Sequence, residues 1–377
     1  MRSFRKRELA LAALLSLAIA TVGVMAVAGP LNPPGGAVSS TYKTLSEVEP
    51  RIAINSTNTP GDADATPSLY KITQPGSYYL TGNVTGVSGK IGIEIASSGV
   101  TLDLNGFELL GVAGSRAGVN VSAFNPQNIG VRNGSVRGWG ENGVALSAVN
   151  SSVTDLRVSG NAGSGISMVG ACIASGCLAN GNGGDGIQAG VACMVLGCTA
   201  YDNGSAGISA MGGCTISDST AYFNTGDGVA VLSGCTISGC TAYNNLGNGI
   251  SATSGATVSG CTARSNTLDG VRVSSDCHVL SNTCVFNGIG DGAGIHATSD
   301  SNRIEGNVCK SADRGIDVDG TGNIIMRNTC TANTINWTIV GGNSYLVVVA
   351  NRTVSNFSGD AGGGGYGSTD PNANFTY

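Results

Sequence analysis

Three charged residues occupy equivalent positions in successive copies of a repeated sequence: Arg272, His296 and Asp317 each lie two places after a glycine that opens a copy. The same position in the preceding copies is small or uncharged: Ala145, Ser167, Gln188, Ser209, Ala230 and Ser251. An imidazole beside a carboxylate can act as a general acid or base near neutral pH, and a guanidinium can neutralise a substrate carboxylate. The catalytic interpretation has Arg272 holding a uronate carboxylate, His296 moving a proton and Asp317 orienting the ring. The alternative is a surface ladder of compatible charges.

A second row of the repeat carries large side chains at intervals of 21 residues. Its members are Tyr201, Tyr222, Tyr243 and Arg264. Aromatic rings on an exposed face can bind sugars, so the row is a candidate carbohydrate-binding surface. The alternative is that the row packs beneath the C-terminal tail.

A third set of candidates consists of aspartates that precede repeat glycines: Asp185, Asp227 and Asp269. Calcium needs six to eight oxygen ligands close together. These aspartates lie on alternate copies, which a sheet would space roughly 9–10 Å apart. We therefore interpret them as Asp-Gly turns, and we expect no metal and no cofactor.

The elements that must position these residues follow from the glycine period. A glycine followed by Ile or Val recurs at Gly143, Gly165, Gly186, Gly207, Gly228, Gly249, Gly270, Gly294 and Gly315, with looser copies at Gly92 and Gly118. Each copy of about 21 residues alternates inward and outward residues in three short segments, which is typical of strands. The glycine content argues against helical repeats, and the leucine framework of leucine-rich repeats is missing. The sequence predicts an all-β, right-handed parallel β-helix with three short strands per coil and about 11–12 coils.

Two inward columns explain most of the twelve cysteines. Cys172, Cys193, Cys214, Cys235 and Cys277 share one position, and Cys177, Cys198, Cys240 and Cys261 share another. Parallel stacking gives poor disulfide geometry, so we interpret the cysteines as reduced core residues rather than as disulfides or metal ligands. A regular asparagine column is interpreted as turn structure with hydrogen-bonded amides, against a sugar-binding alternative: Asn161, Asn182, Asn203, Asn224, Asn245, Asn266 and Asn287.

The ends of the chain predict export and capping. Basic residues, an apolar run and a small-residue site make residues 1–28 a signal peptide, with an uncleaved anchor as the alternative. Its removal leaves 15 basic and 23 acidic residues, a net charge of −8 that disfavours nucleic acid. We expect a leader and cap at 29–75, with a capping box at 44–47, the β-helix at 76–340, and a strand that leaves the repeat followed by an extended tail at 341–377.

The segments SGVTLDLNGFELLGV (98–112), ITQPGSYYLTGNV (72–84) and TDPNANFTY at the C-terminus resemble exported, uncharacterised bacterial β-helix repeat proteins of the pectate-lyase-like superfamily. The resemblance implies fold more strongly than activity. Polygalacturonase, mannuronan epimerase and pectin methylesterase signatures are absent.

Two functions therefore stay open. One is a secreted or cell-surface protein that binds or cleaves a polysaccharide, as a lyase or glycoside hydrolase. The other is a non-catalytic structural or adhesive surface protein. We expect a monomer with no membrane span after signal removal.

Overall fold

The structure is a computed structural model that describes residues 49–64, 67–122, 125–288, 290–346, 348–350, 357–359 and 370–376. The expected signal peptide, the capping box at 44–47 and the glycine run at 362–365 lie outside these residues. Among the described residues, no helix is long and apolar enough to cross a bilayer.

Face 1 is a sheet of fourteen parallel strands, one from each coil. Its strands are Ser68–Ile72, Ile91–Ile95, Val119–Val121, Val144–Leu146, Ile166–Gly170, Ile187–Val191, Ile208–Ala210, Val229–Val231, Ile250–Ser254, Val271–Ser275, Ala293–Ala297, Arg314–Val318, Ile335–Ile339 and Phe357–Gly359. The described residues therefore form about 13 turns, and the all-β parallel β-helix expected from the repeat is confirmed. The number of turns exceeds the predicted 11–12 coils because the first and last coils have no repeat glycine.

Face 2 follows face 1 in each coil. Its strands are Ile52–Ala53, Gly76–Tyr79, Val100–Asp103, Ile173–Ser175, Met194–Leu196, Thr215–Ser217, Thr236–Ser238, Thr257–Ser259, His278–Leu280, Arg303–Glu305, Ile324–Met326 and Ser344–Tyr345. Face 3 follows in turn. Its strands are Val84–Thr85, Glu108–Leu110, Leu178–Asn180, Thr199–Tyr201, Thr220–Tyr222, Thr241–Tyr243, Thr262–Arg264, Thr283–Val285, Val308–Lys310, Thr329–Thr331, Val348–Ala350 and Asn374–Thr376. Two longer strands, Gly130–Arg137 and Ser152–Ser159, pair with strands of both faces.

The interior is one continuous core of buried apolar side chains. Val229, Ile237 and Ala242, one from each face of a coil, are all fully buried. All twelve cysteines are buried free thiols, and a further inward column on face 3 holds Cys284, Cys309 and Cys330. In the two columns expected from the sequence, Sγ atoms face main-chain carbonyls, as in the 2.9 Å contact of Cys214 with Gly190 O. Cysteine therefore fills a narrow core while donating a weak hydrogen bond.

The asparagine column is buried and continuous. The Oδ1 atom of Asn224 accepts both the backbone N–H of Asn203, at 3.1 Å, and its Nδ2, at 2.9 Å, and Asn245 does the same for Asn224. The left-handed backbone falls on the residue before each ladder asparagine, such as Phe223 with φ 54°. The ladder asparagines therefore serve as hydrogen-bonding residues and not as left-handed turn residues. Because their side chains are buried, they cannot contact a sugar.

The C-terminal segment adds a strand inside the stack. Residues 344–345 and 348–350 pair in parallel and continue the coil. They do not leave the repeat, whereas the sequence predicted a strand that does. The strand Asn374–Thr376 then pairs in parallel with both Thr329–Thr331 and Val348–Ala350, so it lies between two coils. Asn374 continues an asparagine ladder by accepting from Asn328 N at 3.0 Å.

Candidate functional site

The three charged residues of the repeat lie side by side on face 1. The strand register pairs Arg272 with His296 and His296 with Asp317. The coil that opens at Gly270 and contains Arg272 is three residues longer than its neighbours, yet the register holds. Asn287 still stands 21 residues after Asn266, so the extra residues fall in the turn between Asn287 and Gly294.

The imidazole of His296 lies between two carboxylates. Its Nδ1 is 2.9 Å from Oδ2 of Asp269, and its Nε2 is 3.0 Å from Oδ2 of Asp319. Asp317, the expected orienting residue, is 4.0 Å from Nε2, beyond hydrogen-bonding distance. Because a carboxylate faces each ring nitrogen, only the imidazolium can donate to both. The geometry therefore favours the acid form of His296.

Asp269 reaches His296 from the turn before its own strand. Its Oδ1 accepts the backbone N–H of Ala293 at 2.7 Å, which is the expected Asp-Gly turn role, and its Oδ2 faces the imidazole. Asp185 is built in the same way: Oδ1 accepts from Ala206 N, and Oδ2 accepts from Ser209 Oγ at 2.6 Å. Each aspartate thus contacts the outward residue of the next coil, and the site arises where that residue is histidine instead of serine.

The two arginines of the cluster are already paired with acids. Arg272 contacts Asp269 at 3.5 Å, and Arg314 contacts Asp317 at 2.7 Å and Asp291 at 2.8 Å. The cluster has four carboxylates against two guanidinium groups and one imidazole. It is therefore net negative, by one charge when His296 is protonated and by two when the ring is neutral, which disfavours an acidic ligand.

Burial and charge act in opposite directions on these groups. Burial lowers the pKa of His296, but the hydrogen bonds to Asp269 and Asp319, together with the charges of Asp269 and Asp317, outweigh it and raise the pKa above 6.5. Burial raises the pKa of Asp317 above its usual value, against the lowering effect of Arg314 and His296. The direction of this shift and the two hydrogen bonds both favour the imidazolium over the neutral ring.

His296, Asp317 and Asp319 also bring one potential metal-ligand atom each within 4.8 Å of one another. Arg314, however, already contacts Asp317 Oδ2, the same oxygen that lies toward His296. A guanidinium in that position pairs with the oxygen that a metal would need and repels a second cation. The contacts are therefore those of an ion-pair network rather than of a metal centre.

The three tyrosine rings of the row stack face to face on face 3. The ring of Tyr222 is 4.8 Å from those of Tyr201 and Tyr243, with interplanar angles of 6° and 4°. Both faces of Tyr222 are covered by its neighbours, so only ring edges point outward. Arg264 continues the row in register but lies over Phe286, 5.9 Å from its ring centre. The described tail residues 370–376 pair with the coil of Thr331, four coils beyond Tyr243, and do not cover the stack.

Sequence reasoning missed Asp319, Arg314 and the second role of Asp269. Asp319 was detectable, because it lies two residues after Asp317 and so projects from the same side of the chain. Arg314 directly precedes a repeat glycine, as Asp269 does. Its strand register pairs it with Ala293, whose backbone N–H donates to Asp269. The contact of Arg314 with Asp317, three residues later in the same strand, could therefore have been read from the repeat, whereas its contact with Asp291 in the longer turn at 288–293 could not.

Comparisons with known proteins give the same fold. Residues 189–335 match the sequence profile described as "Right handed beta helix region". The A-module of the Azotobacter vinelandii mannuronan C-5 epimerase AlgE4 superposes with a TM-score of 0.55, at 17% identity, over 78% of this chain and 91% of that one. This protein is a right-handed parallel β-helix. Its resemblance to the pectate-lyase-like superfamily is confirmed at the level of fold.

Other solved β-helices resemble this one less closely. The AlgE6 A-module of the same organism has a TM-score of 0.47 at 17% identity, covering 80% of this chain and 90% of that one. A GH87 alpha-1,3-glucanase of Streptomyces thermodiastaticus has a TM-score of 0.39 at 14% identity, covering 89% and 71%. A search of curated protein sequences gives no significant match to this β-helix.

Proposed function

We propose that this protein is an exported, monomeric β-helix that binds a polysaccharide along face 1, with the His296 cluster at one end of the binding surface. The observation that carries the proposal is the change along one outward column, from six uncharged residues to Arg272, His296 and Asp317 on successive coils. Support comes from the N-terminal signal-like segment and from the AlgE4 module, whose name assigns it to mannuronan.

A second function, acid–base cleavage of the bound glycan, is favoured by the hydrogen bonds of His296. Asp269 is buried and holds Nδ1, whereas the side chain of Asp319 is 56% exposed and can move aside. Nε2–H then becomes free to protonate a glycosidic oxygen. Asp317 and Asp319 supply carboxylates beside the ring, and one of them would act as base or nucleophile in a hydrolysis. Arg272 in this scheme holds Asp269 in place, rather than a uronate.

The test is a glycan array on the mature protein, followed by product analysis of every polysaccharide that binds. We expect at least one polysaccharide to bind, and His296→Ala to lower any cleavage rate by at least about 100-fold, the usual effect of losing an acid–base group. His278→Ala is the matched control, since His278 is the only other histidine and is exposed on face 2.

Absence of binding to any polysaccharide would overturn the proposal and favour the structural or adhesive alternative. Binding without cleavage would retain the first function and remove the second.

A further inference from the structure

The uncharged part of the face 1 column is the floor of a trough. Its outward residues Gln188, Ser209, Ala230 and Ser251 line a depression of about 280 Å³ together with Met211 and Leu232. The column continues in register through Arg272 to His296. The depression and the charged cluster therefore lie along one line on the same face.

One wall of the trough is apolar. Val169, Met211 and Leu232 each follow the column residue of their own coil by two positions, and each is at least half exposed. The equivalent position in the intervening coil is Gly190, where an added Cβ would lie 1.5 Å from Val169 O. Val191 beside it is also exposed. Contiguous exposed apolar side chains on a soluble protein mark an interaction surface.

The opposite wall is acidic and polar. It consists of two partly exposed aspartates that precede repeat glycines, Asp185 and Asp227; Asn248 and Asp269 hold the same position in later coils but are buried. Asp185 is hydrogen-bonded to Ser209 of the floor at 2.6 Å, so its carboxylate stands beside the depression. This wall carries negative charge and no cation until Arg272.

We propose that the trough binds an uncharged polysaccharide, and not a polyuronate, with one sugar unit to about one coil. The proposal rests on the function proposed above and names its substrate class. A pyranose ring has an apolar face for the Met211–Leu232 wall and hydroxyl groups that donate to the aspartates opposite. A uronate carboxylate would lie near Asp185 and Asp227 instead, and like charges disfavour binding. Arg272 and Arg314 do not compensate, because both are already paired with acids.

The test compares affinities for two sets of soluble polysaccharides at low ionic strength. The neutral set contains β-glucan, mannan and xylan, and the acidic set contains polygalacturonate and alginate, each with and without calcium. We expect binding within the neutral set, unchanged by calcium or by added salt. Tighter binding to a polyuronate than to any neutral glycan would overturn the inference while leaving the proposed function intact. Binding to neither set would remove both.

Variants locate the binding to the trough. The double change Met211→Ala and Leu232→Ala removes the apolar wall, and we expect it to weaken neutral glycan binding about tenfold, given the apolar area lost. Ile324→Ala removes a similarly exposed aliphatic side chain from face 2 and is the control. Equal affinities of the double variant and the control for neutral glycans would place binding elsewhere on the β-helix and overturn the inference.

Discussion

At the scale of single residues, the site depends on where one histidine falls in a repeated hydrogen-bonding scheme. Asp185 and Asp269 use one oxygen to hold the next coil and the other to contact its outward side chain. With serine as partner the second contact is an ordinary hydrogen bond. With histidine the same contact fixes an ionisable ring between Asp269 and Asp319, so the fold supplies the geometry and one substitution supplies the chemistry.

The raised pKa of His296 predicts how stability varies with pH. A basic group whose pKa is raised on folding stabilises the native state fully below its unfolded pKa, about 6.5, and this stabilisation is lost as the pH rises through the folded value. We therefore expect the melting temperature of the wild type, relative to His296→Gln, to be highest below about pH 6 and to decline above about pH 6.5. Thermal melts across this range measure it. A difference that grows with pH would contradict the imidazolium assignment.

At the scale of ladders and strands, repetition turns small contacts into continuous stacks. Tyr222 has an aromatic neighbour on both sides, whereas Tyr201 has a stacked tyrosine on one side only. Each aromatic pair contributes about 0.5–1.5 kcal/mol beyond the area it buries. Tyr222 also has an edge contact with Phe223, so Tyr222→Ala should lower the free energy of unfolding by about two to three times as much as Tyr201→Ala, measured by chemical denaturation.

Because the faces of Tyr222 are covered, the same variant should bind glycans as the wild type does. If Tyr222→Ala lost glycan binding while its unfolding free energy stayed unchanged, the tyrosine row would be a sugar-binding surface instead.

The buried asparagine ladder should be more sensitive than the exposed residues beside it. Asn224→Ala removes the acceptor of two Asn203 donors and the donor to Ala200 O, which leaves buried polar groups without partners. Each such group costs about 1–3 kcal/mol. We expect Asn224→Ala to lower the unfolding free energy by several kcal/mol on that basis. Thr225→Ala, in the same turn but exposed, should change it little. Equal effects of the two changes would show that the ladder does not carry this stability.

At the scale of the whole molecule, the interior accommodates twelve thiols without a disulfide. A thiol reagent should therefore label none of them in the native protein and all twelve after denaturation, since buried thiols are inaccessible to it. Intact mass before and after reduction provides the second measurement. A mass gain on reduction would show disulfides, and labelling of the native protein would show that coils open readily.

The repeat period in the sequence was sufficient to predict the fold and the shared column of Arg272, His296 and Asp317. A strict 21-residue period with alternating residues places Arg272, His296 and Asp317 in one column, because register in a parallel stack is set by the repeat itself. The period carries no information about turns that depart from it. The contact of Arg314 with Asp291 and the place of Asn374 depend on irregular segments, so they could not be derived.

The inserted strand Asn374–Thr376 has a consequence for the order of assembly. Coils up to Thr331 can stack one after another as the chain emerges from the N-terminus. The strand Val348–Ala350 cannot reach its final neighbour in this way, because that neighbour is synthesised later. The last coil must therefore wait, or open again, until the final residues arrive and close the stack. A chain cut before residue 370 would keep its earlier coils but present an unpaired parallel edge to other chains, so its signature would be self-association rather than global unfolding.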